Sequence, residues 1–179
     1  DYSDYDGALL LDVGVASVLK SATVYAEDTN IVIFELRDDN GFVLQSVAHT
    51  IFPGEQRLVF NFMIPIGSDY ELGINGGDAG LFRNNVGNGN SVGYPFDIGP
   101  VSITSSIVGD QYYYFYYDIE IIPYGIFKEY ELCTGDSVLV GNNFYTSSGS
   151  YIDSLSASNS CDSVVYSFVE FNDPTPVYI

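Results

Sequence analysis

The residues predict an all-β chain: an antiparallel β-sandwich, Ig-like or jelly-roll-like, followed by a small disulfide-stapled β unit. Three observations carry this reading. Tyr (16) and Phe (12) are abundant and Trp is absent; aromatic and β-branched side chains suit a pleated, half-buried surface. No window sustains an apolar stripe at i, i+3, i+4 and i+7. The apolar runs are short and bounded by Gly, Pro and Asx turn signals, the pattern of a sandwich or barrel.

The elements follow in order. Ala8–Val13 is the first apolar strand, after an acidic tip holding Asp1, Asp4 and Asp6. Val18–Ala26 alternates and ends at Glu27-Asp28-Thr29-Asn30. Ile31–Arg37 and Phe42–Ile51 flank Asp38-Asp39-Asn40-Gly41. Asn-Gly is a strong hairpin signal, because a type I′ turn needs φ > 0 at both central residues. Pro53-Gly54-Glu55 turns the chain into Arg57–Ile64, whose alternate residues Leu58, Phe60, Phe62 and Ile64 are apolar. Asp69–Ile74 comes after Pro65-Ile66-Gly67. Residues Asn75–Gly93 are rich in Gly and Asn, with Leu81-Phe82-Arg83 as an apolar island, and read as a long surface loop. Val101–Ile107 and Gln111–Ile122 close a sandwich of about eight strands, and Pro123-Tyr124-Gly125 ends it.

The remainder is a smaller unit with no Lys or Arg after Lys128; Ser137–Val140, Ser150–Leu155 and Ser163–Phe171 are its strand candidates. The organisation expected is an N-terminal arm and first strand over 1–17, a sandwich over 8–125, a small module over 126–173 and a tail or linker over 174–179. A unit of this size has little core of its own. It contains both cysteines, Cys133 and Cys161. Two thiols cannot build a four-ligand zinc site, and Cys-x-x-Cys is absent. The readings left are a disulfide in an oxidising compartment or two buried free thiols. A disulfide here contributes about 3–4 kcal/mol in the chain-entropy model and implies a secreted or surface protein.

Charge bounds the partners. The chain has 24 acidic and 5 basic residues, a net charge of −19. Nucleic acid is disfavoured, because its phosphates need Lys and Arg to release counterions, and so is docking on anionic lipid. No apolar run is long enough for a spanning helix, so no membrane insertion is expected. A chain opening on Asp1 without a basic n-region or apolar h-region reads as cytosolic or already processed.

Catalysis finds little support. A Ser-His-Asp site needs a base; His49 is the single histidine and no G-x-S-x-G accompanies it. Among so many acids, a close carboxylate pair says nothing about glycoside hydrolysis. No cofactor is expected. Calcium is the one ion with candidates, at Asp38 and Asp39 and at Asp78, although Asx-rich turns are commonly just turns. The run Tyr112-Tyr113-Tyr114-Phe115-Tyr116-Tyr117 is the most unusual local feature. On a strand it places three rings on each face. One face is core. The other, either Tyr112, Tyr114 and Tyr116 or Tyr113, Phe115 and Tyr117, stacks on sugars, meets a neighbouring subunit, or is covered within the fold. The set expected to make such a contact is Tyr112, Tyr114 and Tyr116. Arg83, between Phe82 and Asn84, reads as a structural ion pair.

Two stretches resemble known modules. Cys133-Thr-Gly-Asp-Ser-Val, Asn143-Phe-Tyr145, Gly149-Ser-Tyr151-Ile-Asp153-Ser-Leu155 and Asn159-Ser-Cys161-Asp-Ser-Val-Val resemble a Cys-paired repeat of large secreted adhesin and surface proteins of gliding, Bacteroidetes-type bacteria. Ser160 stands where that repeat usually has Gly. Val24-Tyr25-Ala26, Phe34-Glu35-Leu36-Arg37-Asp38, Leu58 to Phe62, Leu81-Phe82-Arg83-Asn84, Tyr94-Pro95-Phe96, Val101 to Ser105 and Tyr113 to Glu120 resemble a companion β-sandwich module. Ile119 stands where its last strand usually carries Trp. The resemblance implies a non-enzymatic extracellular protein, and Ser137, Ser154 and Ser163, each in an Asp-Ser-apolar triplet, as O-glycan acceptors. The function expected is a structural subunit of a bacterial surface fibre or adhesin, its partners being copies of itself or other surface modules. Assembly by strand addition uses an arm carrying Leu9, Leu10, Leu11, Val13 and Val15, or the C-terminal strand. The alternative is a carbohydrate-binding module using the tyrosine face and the loop 75–93.

Overall fold

The computed structural model describes residues 1–3, 5–77, 79–155 and 163–173, and among them every regular element is a strand. In chain order these are β1 (Tyr2–Ser3), β2 (Ala8–Val13), β3 (Ser17–Ala26), β4 (Asn30–Arg37), β5 (Val43–Ile51), β6 (Gly54–Ile64), β7 (Gly67–Ile74), β8 (Leu81–Asn85) and β9 (Phe96–Ile98). They continue with β10 (Val101–Ser106), β11 (Tyr112–Tyr114), β12 (Tyr117–Pro123), β13 (Ile126–Cys133), β14 (Val138–Val140), β15 (Asn143–Tyr145), β16 (Gly149–Leu155) and β17 (Ser163–Asn172). The chain divides into Asp1–Pro123 and Tyr124–Ile179.

The first unit is a β-sandwich of antiparallel sheets. One sheet has the order β5-β4-β7-β2-β10-β9. The other is built on β3: β6 lies along one edge, while β12 and the start of β8 meet the opposite edge. β8 also pairs β1 and β11, so the segment Tyr112–Pro123 bridges β8 and β3. Alternation decides what is buried. Val32, Phe34 and Leu36 of β4 point inward, as do Leu58, Phe60, Phe62 and Ile64 of β6. Across the two sheets, the ring centroid of Phe34 lies 5.2 Å from Phe60 and 5.7 Å from Tyr116.

One side of the sandwich is closed by side chains that imitate strand pairing. On β5, the Gln45 amide donates to the Met63 carbonyl (2.5 Å) and accepts from the Met63 N–H (3.0 Å). His49 Nε2 donates to the Val59 carbonyl at 2.9 Å. Gln56 does the same for both backbone groups of Phe52. These contacts satisfy backbone groups that an edge leaves open. They also give His49 a structural job.

Four features depart from the sequence reading. The hairpin after β4 is not type I′: of its central residues only Gly41 has φ > 0 (78°). Gly41 N–H donates to the Asp38 carbonyl at 3.0 Å and Asp38 N–H to the Phe42 carbonyl at 2.9 Å, the arrangement of a type I turn followed by a left-handed residue. The supposed loop 75–93 contains β8, because its apolar island has sheet partners on both edges. β9 forms over Phe96–Ile98, where the sequence predicts no strand. Lastly, Gln111–Ile122 is not one strand. Phe115 sits at φ 57° between β11 and β12 and breaks the alternation there.

The crossing from β1 to β2 is tightly fitted. A Cβ on Gly7 would lie 2.1 Å from the Tyr114 ring, which is itself buried, so only glycine fits. Close by, the buried Glu35 accepts from Arg37 Nε (2.9 Å) and from the Asn75 amide (2.8 Å). Arg37 also reaches Asp6 and Glu71. Asp6 thereby anchors the crossing, and the buried carboxylate keeps its partners.

The second unit has a three-stranded sheet, β13-β17-β16, and a β14–β15 hairpin. Its β13 and β17 run parallel, a pairing absent from the sequence reading, which had no strand over 126–133. Among the described residues its core is small: Val140, Val165, Tyr166 and Val169, with the buried Asp153. One oxygen of Asp153 accepts from the Asn143 amide (2.6 Å) and the Tyr145 hydroxyl (2.9 Å), which holds the hairpin.

Candidate functional site

The side of the sandwich opposite β5 and β6 is open. There β9 is the edge strand of one sheet and β12 terminates the other. Between them lies a cleft of about 410 Å³, lined by Asn84, Phe96, Ile98, Ile103, Tyr113, Tyr117, Asp118 and Ile119. Its size falls within the range of small-ligand sites, and its lining is mostly apolar, with Asn84, Asp118 and the Tyr113 and Tyr117 hydroxyls as the polar groups.

Strand parity explains which rings arrive. On β8, Leu81 is buried, so Phe82 and Asn84 take the outer face. Asn84 pairs with Tyr113, placing Tyr113 outward and Tyr112 and Tyr114 on the other side. On β3, Val24 and Ala26 face the core and Tyr25 faces out. Tyr117 pairs with Thr23 and joins the same face. The outcome is a continuous aromatic ridge. Tyr2 contacts Phe82 at 5.6 Å, Phe82 contacts Tyr117 at 6.2 Å, and Tyr25 contacts Tyr117 at 5.5 Å between ring centroids. Tyr117 contacts Tyr113 at 5.3 Å, and Tyr113 contacts Phe96 at 5.6 Å. A second depression of about 270 Å³, lined by Tyr2, Tyr25 and Phe82, lies on this ridge.

Charge and protonation complete the description. Burial pushes the Tyr113 phenol up to about 12, and burial first, then the neighbouring Tyr113, raises Tyr117. Both are neutral hydroxyls at any physiological pH. Beside the cleft, Arg57 Nη1 donates to Asp118 through the carboxylate (2.5 Å) and the carbonyl (2.7 Å), holding that residue at φ 44°. Arg57 Nε donates to Ser21 Oγ at 3.0 Å, and Ser21 Oγ in turn donates to Glu120 at 2.5 Å.

The other predicted residues lie elsewhere. The favoured even set of tyrosines is corrected: Tyr114 and Tyr116 are buried, so neither offers a ring to a partner. Tyr112 is half-buried beneath Arg83, whose guanidinium carbon is 4.6 Å from its ring centroid. Arg83 also pairs with Asp1 at 3.1 Å. Leu9, Leu11 and Val13 are core residues, Leu10 and Val15 are half-buried, and β2 has a partner strand on each edge. Such an arm links subunits only by leaving its own sheet. Asp38 Oδ1 is occupied by the N–H groups of Asn40 and Phe42, and Asp39 by the Asn40 amide. Asp78 and Cys161 lie outside the described residues. Cys133 is exposed at the end of β13 and Ser137 is exposed before β14. Ser154 and Ser163 occupy strand positions in β16 and β17, and their side chains lie outside the description.

The cleft residues Asn84, Phe96, Tyr113 and Ile119 stand within stretches that carried the sandwich resemblance, yet nothing local marked them as one site. Ile103, Tyr117 and Asp118 stand within those stretches too, and Ile98 had no signal beyond being apolar. Comparison with protein-family models, curated proteins and solved structures finds no match to this chain.

Proposed function

We propose that the chain is a non-enzymatic extracellular adhesin-type module that holds a saccharide in the cleft between β9 and β12. The observation that carries this is the partly buried ring set Phe96, Tyr113 and Tyr117, which lines the cleft together with Asn84 and Asp118. Sugars offer apolar C–H faces to rings and hydroxyls to amides and carboxylates. Stacking on one ring is worth about 1 kcal/mol. Binding of the purified chain to an array of neutral and acidic glycans tests the assignment. We expect at least one glycan to be retained. Tyr117→Ala together with Tyr113→Ala weakens it by about tenfold or more, while Phe42→Ala, on a remote turn, leaves it unchanged.

A second reading is a fibre subunit that adds strands between copies. The observation favouring it is that the edge strands β9 and β12 flank an apolar cleft. A chain that retains no glycan, but sediments as a concentration-dependent multimer through this face, moves the assignment to that reading.

The extracellular setting rests on a disulfide between Cys133 and Cys161, which we include in the proposal. It staples a unit whose core is little more than four apolar side chains among the described residues. Thiol titration of the denatured secreted chain is expected to find no free thiol. Two reactive thiols would remove the staple and, with it, the argument for secretion.

A further inference from the structure

We propose that the ligand is a linear, uncharged polysaccharide that lies along the aromatic ridge and is read at two places, the cleft at Tyr113 and Tyr117 and the depression at Tyr2, Tyr25 and Phe82. This rests on the saccharide reading above and extends it to chain length and charge.

The length argument comes from the rings. The two depressions are not separate features, since Tyr117 lines the first and contacts both Tyr25 and Phe82 of the second. From Tyr2 through Phe82, Tyr117 and Tyr113 to Phe96, successive centroids are 5.6, 6.2, 5.3 and 5.6 Å apart. That step is comparable with the length of one pyranose unit. A monosaccharide occupies one depression and leaves the other wet. A chain covers both, and joining two weak sites through one ligand multiplies affinity without any new kind of contact.

The charge argument comes from the cations. The first unit contains Lys20, Arg37, Arg57 and Arg83, and each is already engaged. Lys20 donates to Asn61 (2.6 Å), and Arg37 pairs with Glu35 (2.9 Å), Arg57 with Asp118 (2.5 Å) and Arg83 with Asp1 (3.1 Å). Acids border the ridge instead: Glu55 opposite Tyr25, Asp118 in the cleft, and Glu120 beside Ser21. A polyuronate or sulfated chain meets like charge with no cation to receive it. Hydroxyl groups meet acceptors.

The test is calorimetric titration with ladders of cello-, manno- and xylo-oligosaccharides from disaccharide to hexasaccharide, beside oligo-alginates of the same lengths. For one neutral series, affinity rises about tenfold or more between the disaccharide and the longer members. Phe82→Ala flattens that rise, bringing the longer members down toward the affinity of the shortest bound member. Tyr25→Ala is the second variant, needed if Phe82→Ala does not fold. A neutral series bound equally at all lengths, or a preference for alginate, overturns the proposal and leaves the saccharide cleft standing. Failure to bind any member, neutral or acidic, overturns the proposal together with the reading beneath it.

Discussion

A Tyr116→Ala variant unfolds about 10–20 °C below the parent chain, a loss of about 3–5 kcal/mol. Tyr116 is fully buried, with its ring 5.7 Å from Phe34 and 5.4 Å from Phe60. Its hydroxyl donates to the Gly73 carbonyl on β7, so one side chain contacts both sheets. Alanine there removes a large ring from a packed centre and one buried hydrogen bond to the Gly73 carbonyl. The first costs transfer and cavity energy, and the second costs the net worth of that hydrogen bond. Scanning calorimetry measures it. Were Tyr116 a surface contact residue, as run parity alone allowed, its truncation would shift the midpoint hardly at all. An unchanged midpoint therefore refutes the packing described above.

Stability also falls steeply in alkali. The ordinary phenol titrates at 10.0; burial pushes Tyr113 up to about 12 and holds Tyr116 well above its ordinary value. The sign follows from proton counts. Below pH 10 both folded and unfolded chains keep these protons, and the stability is whole. Above it the unfolded chain releases them while the folded chain does not, so the unfolded state binds fewer protons and unfolding becomes easier as pH rises. Tyr113 and Tyr116 each contribute a slope of about 1.4 kcal/mol per pH unit through that window. Tyr94 and Tyr117, also raised first by burial, act in the same direction. Urea midpoints at about pH 9 and about pH 11 give the comparison. Tyrosinate absorbance should rise cooperatively with unfolding. Equal midpoints, or smooth titration of every tyrosine in a folded chain, would falsify the burial of this cluster.

What could be read beforehand was what depends on neighbours in the chain. Leu58, Phe60, Phe62 and Ile64 alternate along β6 and are all buried, because period-two patterning is a local property of a pleated strand. The Asp38–Gly41 turn was located correctly, yet its type was not. Asn-Gly permits a type I′ turn, while here Asp38 caps the N–H groups of Asn40 and Phe42 and favours another geometry. β8 and β9 were missed for a related reason. Leu81–Asn85 lies in a Gly- and Asn-rich stretch, and its strand state comes from partners distant in sequence, Tyr2–Ser3 on one edge and Tyr112–Tyr114 on the other.

The tyrosine run shows the division most clearly. Its composition announced a special segment. Its assignment to faces assumed unbroken alternation. Phe115 at φ 57° breaks that alternation, burying Tyr114, Phe115 and Tyr116 together and presenting Tyr113 and Tyr117. Nothing in the six residues dictates this; it follows from the bridge the segment makes between β8 and β3. By itself, then, the sequence determined the all-β class, most strand positions, the acidic surface and the scarcity of cations, since each of these is a sum or a local period. The tertiary structure alone decided which rings face outward, which cations are engaged and that one side of the sandwich stays open. Those depend on contacts between residues as far apart as Tyr2 and Phe82, or Phe96 and Tyr113, and such contacts exist only once the strands have paired.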